Sequence, residues 1–504
     1  MAKPAPWSLR PHRGDNPPRV GHDRHRHARV PTLYWCRGSR DLEPMDPPPA
    51  RPYFLPGGFP SPEDALSPGA EEGSDPRPGP RLRPPDISEF GTFKDSKAAP
   101  IHGWFQYPAG FSYRAVEFAL DWNRLGRGDR VLDPFTGTGT TQVVCKGRGI
   151  PSAGTEAHPF VARIARTKVF WDYDYAELQE AVGRFQAHLR SSREEARHAA
   201  EESVPPLLGK CFSPSNLRGL LYAKQEIHRR VPPPFRDLFE VALIGALRQA
   251  SGAATGWPYI SPRKRITEKD GIDTFLSQLD RCVRDLGGTP PRFRRTPAEV
   301  VEGDCRQSPF QDASFTFAFT SPPYLNNYDY ADRTRLEGYF TGFARSWGEI
   351  SQKVREKLVM SATTQVLRSR FRTADILEPA VWDASPAVAE EIQRKVDLLT
   401  ERRWEKGGRK SYDVLVGQYF NDLTRSLKEA ARLLRRGSRY MLILGDSAPY
   451  GVHVPTETYL GRIACGLGFQ SYRLFPLRSR GDKWRSNPQR HQVPLKESLL
   501  VLER

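Results

Sequence analysis

The chain has 504 residues, which is long for one hydrophobic core and predicts either two domains or one large domain with insertions. Lys and Arg number 76 against 59 Asp and Glu, a net charge of +17 that suits either a nucleic-acid partner or a solvated arginine-rich surface. No run of about eighteen apolar residues and no apolar leader occurs, which argues against a membrane span and a secretory signal. The six scattered cysteines form no Cys-x-x-Cys pair, which argues against a zinc site and a disulfide framework and predicts a reducing cytoplasm.

The amino-acid composition of the chain changes near residue 86. Residues 1–85 are rich in Pro, Arg, Gly and His and cannot bury enough apolar surface to fold alone, so they predict a disordered tail. Residues 86–172 contain an apolar-faced helix around 115–120, a strand at 131–132, a Gly/Thr loop that opens a helix, and a second strand at 152–156. This order predicts a doubly wound α/β sheet.

Two insertions are expected in this sheet domain. Residues 173–295 have helix-spaced apolar residues and exceed the length of a βα connection, so they predict an inserted helical domain. Strand patterns return in the segment 296–504, at 298–304 and 315–320, and a polar helical insertion follows near 349–409. The chain is then predicted to close with a helix at 427–434 and with strands at 440–444 and 498–502.

The Gly/Thr loop at residues 133–140 reads Asp-Pro-Phe-Thr-Gly-Thr-Gly-Thr and lies between a strand and a helix. Gly137 and Gly139 allow a tight turn and close approach of a ligand. Glu156 ends the next strand, where a carboxylate can accept from two ribose hydroxyls, and Asp304 ends a later strand, where it can accept from an adenine amino group. A phosphate-binding loop would continue with Gly-Lys-Ser/Thr, which is absent here. The pattern predicts a nucleoside cofactor.

A second loop, Ser-Pro-Pro-Tyr, follows the aromatic strand at 315–320. Ser321 offers a hydroxyl acceptor and Pro322 a carbonyl acceptor, and Pro322 and Pro323 together stiffen the loop. Acceptors of this kind can orient the lone pair of an exocyclic amine, which is otherwise delocalised into the base. Tyr324 supplies a flat face on which an extruded base can stack. The loop therefore predicts chemistry on the amino group of a planar base.

Both loops resemble motifs of the amino-methylating site-specific DNA methyltransferases: residues 133–140 are similar to motif I and residues 321–324 to motif IV. Residues 101–112 are similar to motif X, which closes over the methionine part of the cofactor. The resemblance implies a Rossmann-like fold with a mixed seven-stranded sheet, S-adenosyl-L-methionine as cofactor, and double-stranded DNA with a flipped target base as substrate. It implies cofactor contacts by the following residues: Asp133, Pro134, Phe135, Gly137, Gly139, Glu156, Asp304, Phe105, Pro108 and Phe111.

Several questions stay open at the level of sequence. In this family a serine at the first position of motif IV, here Ser321, favours cytosine N4 over adenine N6. An RNA base methyltransferase and an inactive DNA-binding module of the same fold are the alternatives. A nuclease-like cluster is not evident, so a restriction endonuclease would be a separate chain, and the oligomeric state is undetermined. Either insertion can serve target recognition or merely cover the sheet. The basic residues that could contact DNA are Arg263, Lys264 and Arg265 in the first insertion, and Arg402, Arg403, Lys406, Arg409 and the adjoining Lys410 in the second.

Overall fold

The computed structural model describes residues 32–35 (backbone), 87–107, 110–199, 203–252, 269–481 and 493–504. Its centre is one mixed sheet with the strand order β1-β7-β8-β6-β5-β2-β3-β4. The strands are β1 (Thr32–Trp35), β2 (Val131–Asp133), β3 (Ser152–Glu156), β4 (Ala298–Glu302), β5 (Phe315–Thr320), β6 (Leu434–Gly445), β7 (Ser471–Arg480) and β8 (Leu495–Glu503).

Strands β2 to β8 form the seven-stranded mixed sheet that the sequence predicts, so the predicted fold class is confirmed. Across the sheet, the five strands β6, β5, β2, β3 and β4 are each parallel to their neighbours. Strand β8 lies between β6 and β7 and is antiparallel to both. The chain passes from β2 outward to β3 and β4, then returns to β5 on the other side of β2. The carboxyl ends of β2 and β5 therefore flank the point where the strand order reverses, which is the usual ligand-binding crevice of such sheets.

One further strand, β1, comes from the segment for which the sequence predicts a disordered tail. It pairs antiparallel with β7 at the edge of the sheet, with Thr32 opposite Leu474. The remainder of residues 1–86 lies outside the described residues.

The helices cover both faces of the sheet and form the two insertions. In the described part of the chain they are α1 (Tyr113–Trp122), α2 (Thr140–Gly147), α3 (Pro159–Val169), α4 (Tyr175–Ser191), α5 (Arg193–His198), α6 (Pro206–Cys211), α7 (Pro214–Arg230), α8 (Pro233–Ala250), α9 (Gly271–Gly287), α10 (Tyr330–Arg333), α11 (Arg335–Thr341), α12 (Trp347–Ile350), α13 (Pro379–Ala384), α14 (Pro386–Glu405), α15 (Tyr412–Leu433) and α16 (Thr456–Gly466). None of the described helices combines the length and apolar composition that a membrane span requires.

The sheet buries its two faces separately because successive side chains of a strand point in opposite directions. In β6, Met441 and Ile443 pack with α1 and α2, whereas Tyr440, Leu442 and Leu444 pack with α14, α15 and α16 on the other face. Helix α15 begins at Tyr412, well before the predicted start at residue 427. Its first turns are buried nearly all round, and the polar residues Asp413, Asn421 and Asp422 are buried with the apolar ones, so the apolar pattern is interrupted there.

The first insertion, α4 to α9, packs on the segment that precedes α1. The carboxylate of Asp285 in α9 accepts from Trp104 Nε1 and from the Ile101 amide, both at 2.8 Å. Gln278 Nε2 donates to the Trp104 carbonyl at 3.0 Å. The helices of this insertion share one hydrophobic core with α3 and with Ile101 and Trp104. These contacts fit a cap that holds the segment 101–104 in place. The basic loop with Arg263, Lys264 and Arg265 lies outside the described residues.

Candidate active site

The two loops singled out in the sequence lie side by side because β2 and β5 are neighbours. Asp133, at the end of β2, connects them through its buried carboxylate. Oδ1 accepts from Thr320 Oγ1 at 2.6 Å and from the Phe135 amide at 3.1 Å, and Oδ2 accepts from Thr141 Oγ1 at 2.6 Å. Burial raises the pKa of Asp133 to about 6, against the lowering effect of these bonds. The position of Asp133 suits a brace between the loop, α2 and β5.

A first cavity opens where the two loops meet. Of the residues with a predicted cofactor contact, Pro134, Phe135, Gly137, Glu156, Asp304 and Phe111 line it. The buried Asp133, together with Gly139 and Phe105, is not among the lining residues, and Pro108 lies outside the described residues. Gly139 has a φ of 84°, and a Cβ there would meet the Ala165 Cβ at 3.3 Å, so its role is to let α2 begin close against α3.

Glu156 reaches this cavity from the end of β3, and two backbone amides hold its carboxylate. Gly137 donates to Oε2 and His158 to Oε1, each at 2.8 Å. A carboxylate offers about four lone-pair positions, so roughly two remain for ligand hydroxyls. Burial raises the pKa of Glu156 to about 7, although both amides favour the ionised form. The arrangement fits a ribose with two adjacent hydroxyl donors.

Asp304 also lines the first cavity, but its carboxylate is engaged by Arg306. Arg306 donates through its amide and Nε to Oδ1, at 2.9 and 2.8 Å, and through Nη2 to Oδ2 at 2.8 Å. The same guanidinium donates to Asp422 Oδ1 at 2.6 Å. An adenine amino group at Asp304 would therefore share or displace one of these bonds. The predicted adenine contact remains a prediction.

The Ser-Pro-Pro-Tyr loop is held by bonds that leave its two predicted acceptors open. Ser321 Oγ donates to the Ile443 carbonyl at 3.3 Å, so its lone pairs remain available to a substrate amine. Tyr419 Oη donates to the Pro323 carbonyl at 3.0 Å, which fixes the loop from the side of α15. In the described part of the chain, no hydrogen bond engages the Pro322 carbonyl. The geometry suits a pair of fixed acceptors.

Tyr324 is more enclosed than a simple stacking platform would be. Only 7% of the residue is exposed, its hydroxyl donates to Glu497 Oε1 at 2.9 Å, and the guanidinium carbon of Arg480 lies 5.1 Å from its ring centroid. Glu497 in turn accepts from Arg478 Nε at 2.8 Å. Tyr324 thus forms a wall of the site with one face partly covered by a cation.

A second cavity also has Ser321 in its wall. Its lining shares Ser321, Gly110 and Tyr330 with the first cavity. The remaining lining residues are Gly91, Thr92, Phe93, Lys94, Lys97, Tyr324, Asn327, Tyr328, Arg478, Arg480 and Glu497. The site therefore consists of two compartments that meet at the predicted acceptor hydroxyl, one beside the glycine loop and one lined by aromatic and basic side chains.

Sequence reasoning did not single out several lining residues. His158, two positions after Glu156, lines the first cavity, and its Nε2 lies 2.7 Å from Thr334 Oγ1; burial lowers its pKa to about 3, so it is neutral. Lys357 enters the same cavity from the second insertion, and Arg480 enters the second cavity from β7. Of these three residues, only His158 could have been suspected from the sequence, because it lies two positions after Glu156.

Comparison with known proteins places this site in a family context. The chain is 23% identical to the type II methyltransferase M.BsoBI of Geobacillus stearothermophilus over 456 residues, which cover 82% of this chain and 87% of the relative. The type II methyltransferase M.AvaI of Nostoc sp. is 20% identical over 416 residues, covering 77% and 82%. M.MjaII of Methanocaldococcus jannaschii, another type II methyltransferase, is 38% identical over 350 residues, 69% of this chain and 53% of the relative. No family model matches the chain.

Proposed function

Because the chain belongs to the site-specific DNA methyltransferases, we propose that it transfers a methyl group from S-adenosylmethionine to the exocyclic N4 of a cytosine in double-stranded DNA. The observation that carries this proposal is the position of Ser321 between the two cavities. An amine held at this hydroxyl would face both a cofactor compartment and the compartment of its own base. DNA as the polymer is supported by the family and by the net charge of +17.

The chemistry of the first cavity fits the cofactor. Glu156 would accept from the ribose hydroxyls, and the loop around Gly137 would pass close to the adenosine. S-adenosylmethionine supplies, when bound, an electrophilic methyl group on a sulfonium sulfur. The tight loop and the aromatic side chains of Phe111 and Phe135 would keep water from that group.

The acceptor loop would prepare the amine for direct transfer. Ser321 Oγ and the Pro322 carbonyl would accept hydrogen bonds from the two N–H groups of the amine, which turns the nitrogen lone pair out of conjugation with the ring. With the cofactor bound, the methyl group would pass from its sulfur directly to the amine nitrogen held by this loop, and the proton that the amine loses would pass to solvent. The Ser321 hydroxyl can donate to the Ile443 carbonyl at 3.3 Å or to Tyr324 Oη at 3.5 Å, which leaves its lone pairs for the amine. Because the amine itself would attack the methyl group, no covalent intermediate on the protein is required.

The test is the identity of the methylated nucleoside. The protein is expressed in a host whose DNA lacks N4-methylcytosine, and DNA and RNA are digested and analysed by mass spectrometry. N4-methylcytosine in DNA supports the proposal, N6-methyladenine overturns the choice of base, and methylation confined to RNA overturns the choice of polymer.

Replacement of the acceptor hydroxyl tests the mechanism. Ser321→Ala should lower the methylation rate at least about 100-fold while calorimetric binding of S-adenosylhomocysteine is retained. Ser314→Ala is the matched control, because the Ser314 hydroxyl donates to the Gln311 carbonyl on the surface, away from both cavities. Full activity of Ser321→Ala would contradict the role given to this hydroxyl.

A further inference from the structure

Arg480 brings a guanidinium to the acceptor loop from a distant part of the chain. It is the last residue of β7, and the two antiparallel pairings through β8 make β7 end at the same edge as β6. Its Nη1 donates to the Asp446 carbonyl, just after β6, at 3.1 Å. Gly445 leaves the space for this contact, since a Cβ there would overlap Nη1. The guanidinium therefore lies over the carboxyl end of β6.

Ser321 is fixed to the same strand end. Its hydroxyl donates to the Ile443 carbonyl at 3.3 Å, two residues before Gly445, and the Tyr324 ring lies 5.1 Å from the Arg480 guanidinium carbon. Ser321, Tyr324 and Arg480 all line the second cavity. The hydroxyl acceptor and the guanidinium donors thus face one compartment from neighbouring points.

The surrounding carboxylates are engaged by other groups. Glu497 accepts from Arg478 Nε and from Tyr324 Oη. Asp446 accepts from the Lys496 amide at 2.8 Å, and its other oxygen lies 2.8 Å from His453 Nε2. A guanidinium has five N–H donors in a planar fork, so Arg480 retains donors after the bond to the Asp446 carbonyl.

We propose that Arg480 recognises the target base by donating hydrogen bonds to the ring acceptors beside its amino group, N3 and O2 of cytosine; this inference rests on the proposed function. With the amino group at Ser321, the Watson–Crick edge of cytosine presents two adjacent acceptors, whereas adenine presents N1 followed by a C–H group. Two guanidinium donors facing the Watson–Crick edge pair with both acceptors of cytosine, whereas one of the two donors would stay unpaired against adenine. Arg480 therefore acts as a base-recognition residue that reinforces the preference assigned to Ser321.

The test uses wild-type protein and a changed substrate, so it does not depend on a variant folding. After the recognition sequence is read from methylated DNA, duplexes are prepared with cytosine or 3-deazacytosine, which lacks the N3 acceptor, at the target position. We expect kcat/KM to fall about 30-fold on the analogue, the effect of one unmatched buried hydrogen bond. An unchanged kcat/KM overturns the inference. Absence of any methylcytosine in wild-type reactions instead overturns the proposed function.

Arg480→Met identifies the residue that makes the contact. This variant should lose at least about 30-fold on cytosine, because both base contacts are removed, and show no further loss on 3-deazacytosine, with unchanged affinity for S-adenosylhomocysteine. Arg473→Met is the matched control, because Arg473 is on the same strand, pairs with Glu503 at 3.5 Å and is not among the lining residues. Equal sensitivity of wild type and Arg480→Met to the analogue would assign the N3 contact to another residue and overturn the inference.

Discussion

The affinity for the cofactor should depend on pH through Glu156. Burial raises the pKa of this carboxyl group to about 7, and the ionised form is the one that accepts from two ribose hydroxyls. The group binds ligand when deprotonated, so affinity is present above pH 7 and is lost as the pH falls below it. With a pKa of about 7, Glu156 is ionised in about nine tenths of the molecules at pH 8 and in about one tenth at pH 6. The Kd of the cofactor should therefore be about tenfold higher at pH 6 than at pH 8.

Calorimetric titration of S-adenosylhomocysteine between pH 6 and pH 8 measures this effect. Binding at pH 7 should also release about half a proton, which buffers of different ionisation enthalpy detect. Glu156→Gln should bind more weakly at every pH and should lose the tenfold dependence. Glu299→Gln is the control, because Glu299 lies on the neighbouring strand β4, is exposed, pairs with Arg130 at 3.6 Å and does not line the first cavity.

Two results would refute this reasoning. If wild-type affinity is the same at pH 6 and pH 8, Glu156 does not have to ionise for the cofactor to bind. If Glu156→Gln keeps the tenfold dependence, the titrating group is another one, and Asp133, whose pKa is raised to about 6, would be the next to test.

Two further predictions concern stability and DNA contact. Asp133→Ala should lower the free energy of unfolding by about 2–4 kcal/mol in urea titrations, because two hydroxyls and one amide lose their buried acceptor; a change under about 1 kcal/mol would contradict the bracing role. If the second insertion contacts phosphates, replacing the exposed Lys406 and Arg409 by alanine should reduce the slope of log K against log salt by about 2, and an unchanged slope would remove this insertion from the DNA surface.

The sequence predicted the secondary structure around the two loops with little error. The strand Phe315–Thr320 and the strand Ser152–Glu156 have the predicted bounds, and the two loops follow β2 and β5 as expected. These features depend on properties of a few consecutive residues: glycine at positive φ, a rigid pair of prolines, and an acid at the end of an apolar strand. Helix α16 and strand β7 were not predicted, and β7 is interrupted by Pro476 and by three arginines that break its alternation.

The sequence by itself therefore determined the α/β fold, the glycine loop and the acceptor loop, since each follows from local backbone requirements. Only the tertiary structure decided what each polar side chain contacts. It buries Asp133 between two threonines, engages Asp304 with Arg306, and brings Arg480 to within reach of Tyr324. The partners of a carboxylate or guanidinium are the donors and acceptors that packing brings within about 3 Å. Thr320 reaches Asp133 from a strand far away in the chain, and even the local pair Asp304–Arg306 is completed by the distant Asp422.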